Sequence, residues 1–157
     1  MVRKSFNEKL HDSKDMPKLV LIDDKKSIER YGGENMVIAP PIDYNEIMSH
    51  IPLGKVITIT EIRDYLAEKY DADFTCPLTA GIFISLAAQA SEERSTGRIA
   101  YWRTLKRDGE LNDKFPGGVE YQKMMLEKEG HTFVTRGRKN IRYFVEDYED
   151  KLYDLVE

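Results

Sequence analysis

Tyr101, Trp102 and Arg103 stand in a row, and Glu129 follows further along the chain. Two aromatic faces, a permanent cation and a carboxylate can hold a nucleotide, since a base stacked on an aromatic ring gains roughly 1–3 kcal/mol. Several readings of these residues stay open. Tyr101 and Trp102 could line a pocket that stacks on an extruded base, or alternate on a strand with one ring in the core. Arg103 could meet a phosphate or tie its own loop to neighbouring carbonyls. Glu129 could accept from the Trp102 indole, pair with Arg103, or lie solvated at a helix end. A fully chemical alternative uses Tyr101 and Glu129 as acid and base on a base or nucleotide.

The remaining reactive groups are sparse. Cys76 is the single cysteine, so no internal disulfide can form, and His11, His50 and His131 are scattered. No pair has metal-ligand spacing, and neither a metal nor another cofactor is expected. Cys76 precedes Pro77 at an expected helix start, where thiolates are favoured, but a lone cysteine there is more often a small, partly buried side chain. A net charge of -4 argues mildly against a nucleic-acid partner. Its distribution softens that objection: residues 146–157 hold six acids and one lysine, while Arg98, Arg103, Lys106 and Arg107 cluster in one segment and Arg136, Arg138, Lys139 and Arg142 in another.

These groups must be positioned by a scaffold that 157 residues can build around one core. A composition of 41% hydrophobic and 33% charged residues suits a globular chain. No run is apolar for long enough to span a bilayer and the N-terminus lacks a secretory signal, so no membrane association and a cytoplasmic location are expected. Residues 1–42 are weakly periodic and read as an arm of short strands or turns around Leu19–Ile22, Gly32-Gly33 and Met36–Ile38. Asp43 with Glu46 suggests a capping-box start for a short helix through Met48. Ile62, Tyr65, Leu66 and Tyr70 recur at helical spacing from about Thr58 or Thr60. Pro77, with Thr75 as a candidate cap, opens a third helix whose run Leu78–Ala90 is apolar nearly all round, predicting burial. Arg98–Lys106 reads as extended. A fourth helix over 119–129 ends at Gly130, two strands flank the basic turn 136–140, and Tyr148, Leu152 and Leu155 suggest a packed C-terminal helix. The predicted fold is mostly α with a small β component. In outline it is a winged helix, a helix-turn-helix plus a β-hairpin wing, over 43–157 with an N-terminal extension over 1–42.

Ile51-Pro52-Leu53-Gly54-Lys55-Val56-Ile57-Thr58, Trp102-Arg103-Thr104-Leu105-Lys106-Arg107-Asp108-Gly109 and Leu126-Glu127-Lys128-Glu129-Gly130-His131 together resemble the DNA-binding domain of O6-alkylguanine-DNA alkyltransferases, the methylated-DNA-cysteine methyltransferase family. The resemblance covers roughly residues 43–145, and its weight lies in the order and spacing of the pieces. In that family a Pro-Cys-His-Arg segment supplies the alkyl-accepting thiolate, the histidine relays its proton, and a later Glu orients the histidine. Here the segment reads Ala100-Tyr101-Trp102-Arg103. Tyr101 stands where the cysteine belongs, Trp102 replaces the histidine, and Arg103 and Glu129 match. A phenol without a relay base is a poor nucleophile at neutral pH, so alkyl transfer is expected to be absent and no residue is assigned as catalytic. The family's phosphate-pushing tyrosine corresponds to Ile59, and its stack-filling arginine to Thr79 or Leu78. Both departures put base flipping in doubt.

The alkyltransferase-like proteins, which lack the cysteine and bind damaged DNA without reacting, are the closer comparison. The resemblance implies a pocket outlined by Tyr101, Trp102, Arg103 and Glu129. It implies a third helix whose small residues Ala80, Gly81 and Ser85 approach the minor groove of double-stranded DNA, with Thr79 and Gln89 for phosphate or sugar. Arg136, Arg138 and Lys139 would touch the backbone from the wing tip, and a repair protein would be a further partner. A fold of this kind that has lost DNA binding and serves protein interaction is the alternative.

Overall fold

The computed structural model describes residues 4–155. Ser5 opens α1 (Phe6–Leu10) with a capping box, its hydroxyl accepting from the Glu8 amide and the Glu8 carboxylate accepting from its own amide. β1 (Lys18–Leu21) leads to α2 (Lys25–Tyr31), which Asp24 caps and Gly32 ends in the left-handed conformation. β2 (Asn35–Ile38) and α3 (Pro41–Ser49) follow. The fixed φ of Pro41 starts α3 without any side-chain cap. β3 (Ile57–Thr58) runs into α4 (Ile59–Lys69), where Thr58 and Glu61 form a second capping box. β4 (Phe74–Thr75) precedes α5 (Pro77–Glu93). A 3-10 turn at Tyr101–Arg103 and β5 (Thr104–Leu105) lead on to α6 (Gly118–Lys128) and the hairpin of β6 (Phe133–Arg136) and β7 (Arg142–Val145). The fold is thus mixed, with helices around three small sheets.

β2 lies centrally in a sheet of order β1-β2-β4, antiparallel to β1 and parallel to β4; β3 and β5 pair in parallel, and β6 with β7 antiparallel. The main core gathers Leu10, Ala39, Tyr44, Ile47, Met48, Ile62, Leu66, Ile84 and Ala87 from α1, α3, α4 and α5. A smaller cluster of Val56, Leu105, Leu111, Leu126 and Val145 seats the hairpin on α6. Truncating any of these large side chains to alanine costs about 2–5 kcal/mol.

Six expectations are corrected in whole or in part. Residues 4–42 carry the expected short strands, as β1 and β2, but are no loose arm: they also hold two helices, and Leu10, Val37 and Ala39 are fully buried. α1 is bolted to the end of α5, where the Glu93 carboxylate accepts from the Phe6 and Asn7 backbone amides at 2.9 and 3.0 Å and the Asn7 side-chain Nδ2 donates to the Ala90 carbonyl at 2.9 Å. Asp43 is not a cap but a buried residue inside α3, accepting from the Tyr70 hydroxyl with Lys69 Nζ 3.6 Å away. The cap position of α5 belongs to Cys76, because the buried Thr75 hydroxyl donates instead to the Arg63 carbonyl at 2.7 Å. α5 is also not buried all round: Leu78 and Ile82 are 71% and 53% exposed. Residues 101–103 form a tight turn rather than a strand, and residues 148–151 a single 3-10 turn rather than a helix, after which Leu152 bridges to Val56. Among the described residues no helix is long and apolar enough to cross a membrane.

Candidate nucleic-acid interface

The turn at Tyr101–Arg103 is held by a set of partly buried side chains. Arg103 Nε and Nη2 donate to the two Glu129 oxygens at 2.9 and 2.8 Å, and its Nη1 donates to the Ile51 carbonyl at 2.7 Å. The Trp102 indole N–H donates to the same carboxylate at 2.9 Å. Burial pushes the Glu129 carboxyl up, but the hydrogen bonds from Arg103 and Trp102 outweigh it and leave its pKa below the ordinary value. Gln122, fully buried on α6, completes the frame by donating to the carbonyls of Trp102 and Thr104 and accepting from the Asn112 amide.

Of the four residues expected to outline a pocket, the structure brings Trp102, Arg103 and Glu129 into one hydrogen-bonded set and turns Tyr101 inward. Tyr101 is 2% exposed. Its ring packs edge-on against Trp102 and Phe115, and its hydroxyl donates toward Glu92 at 3.1 Å. Burial, then the charge of Glu92, raises the phenol's pKa. Tyr101 therefore offers no open face to a base and no ready anion, which corrects its reading as a pocket wall. The cause is local: a 3-10 turn replaces the strand on which the rings would have alternated. Cys76 is buried as well.

The open surface lies along α5. A groove of about 920 Å³ runs between Leu78, Gly81, Ile82 and Ser85 on one side and the loop from Leu105 to Lys114 on the other. A Cβ built on Gly81 meets nothing within 4 Å, so no packing inside the protein demands a glycine there. Thr79 is half-buried, and the Gln89 amide donates to the Lys114 carbonyl at 3.3 Å, partly tying it down. Ala80 is fully buried, which removes it from any contact surface; at helical spacing it falls on the core side of α5 while Gly81 falls outside.

Arg136, Arg138 and Lys139 are all exposed on the hairpin turn. The Arg136 guanidinium lies 4.4 Å from the Phe144 ring centroid, and none of the three has an acidic partner within ion-pair distance among the described residues. Arg142, by contrast, is spent on Glu110 with two hydrogen bonds of 2.8 and 2.7 Å. Ile82 and Lys114 line the groove without having been anticipated, while Leu78 stands where the family's arginine was sought and Lys106 belongs to the basic cluster of residues 98–107. The spacing Leu78, Ile82, Ser85, Gln89 would have marked one helix face, but the apolar run hid it. Among the described residues no group of three or more His, Cys, Asp or Glu is placed to hold a metal ion.

No protein-family model matches the chain, and no curated protein sequence matches it. Two solved structures are similar to it. One is S. pombe Atl1 in complex with damaged DNA containing O6-carboxymethylguanine, at 20% identity, covering 73% of this chain and 94% of that one with a TM-score of 0.49. The other is S. pombe ATL in complex with DNA, at 18% identity with the same coverages and TM-score.

Proposed function

We propose that this chain is a non-enzymatic, duplex-DNA-binding protein of the alkyltransferase-like type. In this reading α4 and α5 are a helix-turn-helix and the β6–β7 hairpin is its wing. The observation that carries it is the outward face of α5, where Gly81 leaves backbone uncovered between the exposed Leu78 and Ile82. A bare helix backbone permits close approach to a minor groove, and exposed aliphatic side chains are what minor-groove proteins insert between base steps. The uncompensated cations of the 136–139 turn suit the adjoining phosphates.

Alkyl transfer forms no part of this reading. Tyr101 is covered and its phenol held protonated, Cys76 is buried, and Glu129 is committed to Arg103 and Trp102. The same facts weigh against Tyr101 and Glu129 as an acid and base on a nucleotide. Stacking of an extruded base on Tyr101 is also set aside. Recognition of a modified base would act through groove shape and the α5 face, and such a protein would mark the site for repair proteins.

A second reading rests on the same exposed Leu78 and Ile82: a protein partner could bury them in an apolar contact. Binding to matched duplexes, plain and with one O6-methylguanine or O6-carboxymethylguanine, at low and physiological salt, separates the two. Trp102 is the single tryptophan and reports on the neighbouring turn by its fluorescence. Salt-sensitive binding that is tighter on the modified duplex is the expected result. No binding at low salt would sink the DNA reading and favour the protein partner.

A further inference from the structure

We propose that residues 4–16 form a second phosphate-binding wall on the far side of α5, so that the duplex is held between two cationic flanks. This rests on the duplex-binding reading above and adds a contact surface to it. A second groove, of about 530 Å³, lies between α1 with its following loop and α5. It shares Ile82 and Ser85 with the first groove, so the two flank one ridge of the helix.

Lys4, Lys9 and Lys14 line this groove with a single acid, Asp12. That acid is taken, since Lys4 Nζ lies 2.6 Å from its carboxylate. The neighbouring carboxylates keep their charge but do not line the groove: Glu8 accepts from the Ser5 amide, Glu93 accepts from the first amides of α1, and Asp15 faces Lys18 at 3.5 Å. Lys9 and Lys14 thus have no acidic partner within ion-pair distance among the described residues. Lys9 lies over the Phe6 ring at 5.5 Å from its centroid. The opposite wall carries Lys106, Arg107, Lys114 and Arg142 against Asp108, Glu110 and Asp113, an excess of one cation, so the residues lining each groove are net positive on either side of an uncharged ridge. A polyanion with two backbones and a groove between them fits that charge pattern. A protein partner matched to it would need acids on both sides of an apolar centre. The bonds between α1 and α5 make the wall rigid, so binding it costs little ordering.

The test is binding of a plain duplex across a salt series, with the slope of log K against log salt as the readout. Each phosphate contact adds about 0.9 to that slope. Lys9→Gln with Lys14→Gln is expected to reduce the slope by about 1–2 and to weaken binding at low salt about tenfold or more. Lys25→Gln with Lys26→Gln, the same charge change outside both grooves, should leave the slope within error. Hydroxyl-radical footprinting should lose protection on one strand with the first pair only. A slope unchanged by the Lys9 and Lys14 substitutions, but lowered by Arg138→Gln with Lys139→Gln, would overturn the second wall and leave the duplex reading standing. Failure of the unaltered protein to bind any duplex would overturn both.

Discussion

Arg103 and Glu129 meet side-on through two hydrogen bonds of 2.9 and 2.8 Å, from Nε and Nη2, with both side chains largely withdrawn from water. A carboxylate gripped in this way is a structural tie, because each oxygen is already accepting. Breaking a buried pair from one side strands the other charge and costs about 3–5 kcal/mol. Glu129→Ala is therefore expected to lower the melting temperature by roughly 6–15 °C in a chain of this size, and to shift Trp102 emission as the indole loses its acceptor. A melting temperature within 2 °C of the parent, by calorimetry, would contradict the assignment.

Gly81→Ala should separate folding from function. A methyl group meets nothing within 4 Å, and alanine in place of glycine inside a helix gains about 1 kcal/mol. Urea denaturation should show the variant more stable. Duplex binding should weaken if the bare backbone approaches DNA, and bulkier Gly81→Val should weaken it further. Undiminished binding by both variants would remove α5 from the contact.

His131 carries a pH dependence whose sign can be worked out. It is 4% exposed, and neither ring nitrogen has a partner among the described residues. Burial, then the charge of Lys151, lowers its pKa below the ordinary 6.5, outweighing the opposite pull of Glu129. The unfolded chain consequently binds the proton first, so this contribution is complete above about pH 6.5 and is lost as pH falls below it. Glu129, also lowered, acts further down: its stabilisation is present above the ordinary carboxylate range and fades as pH drops through its folded value. Urea midpoints between pH 7.5 and 5.0 should decline in the parent, and His131→Leu should flatten that decline. Parallel profiles would show that another group is responsible.

Gln122→Leu tests the second tie on the Trp102 turn. The side chain makes three hydrogen bonds to backbone groups at 2.6, 3.0 and 3.1 Å. Its loss leaves the Asn112 amide and two carbonyls without their partner, at about 1–3 kcal/mol for each group left unpaired and buried. Amide hydrogen exchange at Asn112 is expected to accelerate more than at the α1–α5 contact. Equal acceleration everywhere would indicate global loosening instead.

What the sequence disclosed depended on how local the cause was. α4, α6 and the hairpin could be read because the helical spacing of Ile62, Tyr65, Leu66 and Tyr70, the stop at Gly130 and the basic turn are signals carried within a few residues of where they act. α1 and α2 could not. At five and seven residues they are too short to hold themselves; tertiary contact stabilises them, with α1 fixed to α5 by Glu93. The site divides the same way. The pairing of Arg103 with Glu129 and Trp102 was among the readings the residue types allowed. The inward turn of Tyr101 and the burial of Ala80 depended on a 3-10 turn and a helix phase that composition does not fix. The uniform apolar run of α5 concealed which face would be left uncovered.

The bond between Phe6 and Glu93 joins residues 87 positions apart. During synthesis, α1 therefore leaves the ribosome long before Glu93 is made, and until α5 follows only the part of its docking surface that α3 supplies is present. β1 and β2 likewise wait for β4 to join their sheet. A segment made well before α5 thus settles only after it. A nascent chain arrested before Glu93 is expected to expose Leu10 to chaperones, whereas one with Glu93 clear of the ribosome could dock α1 on α5.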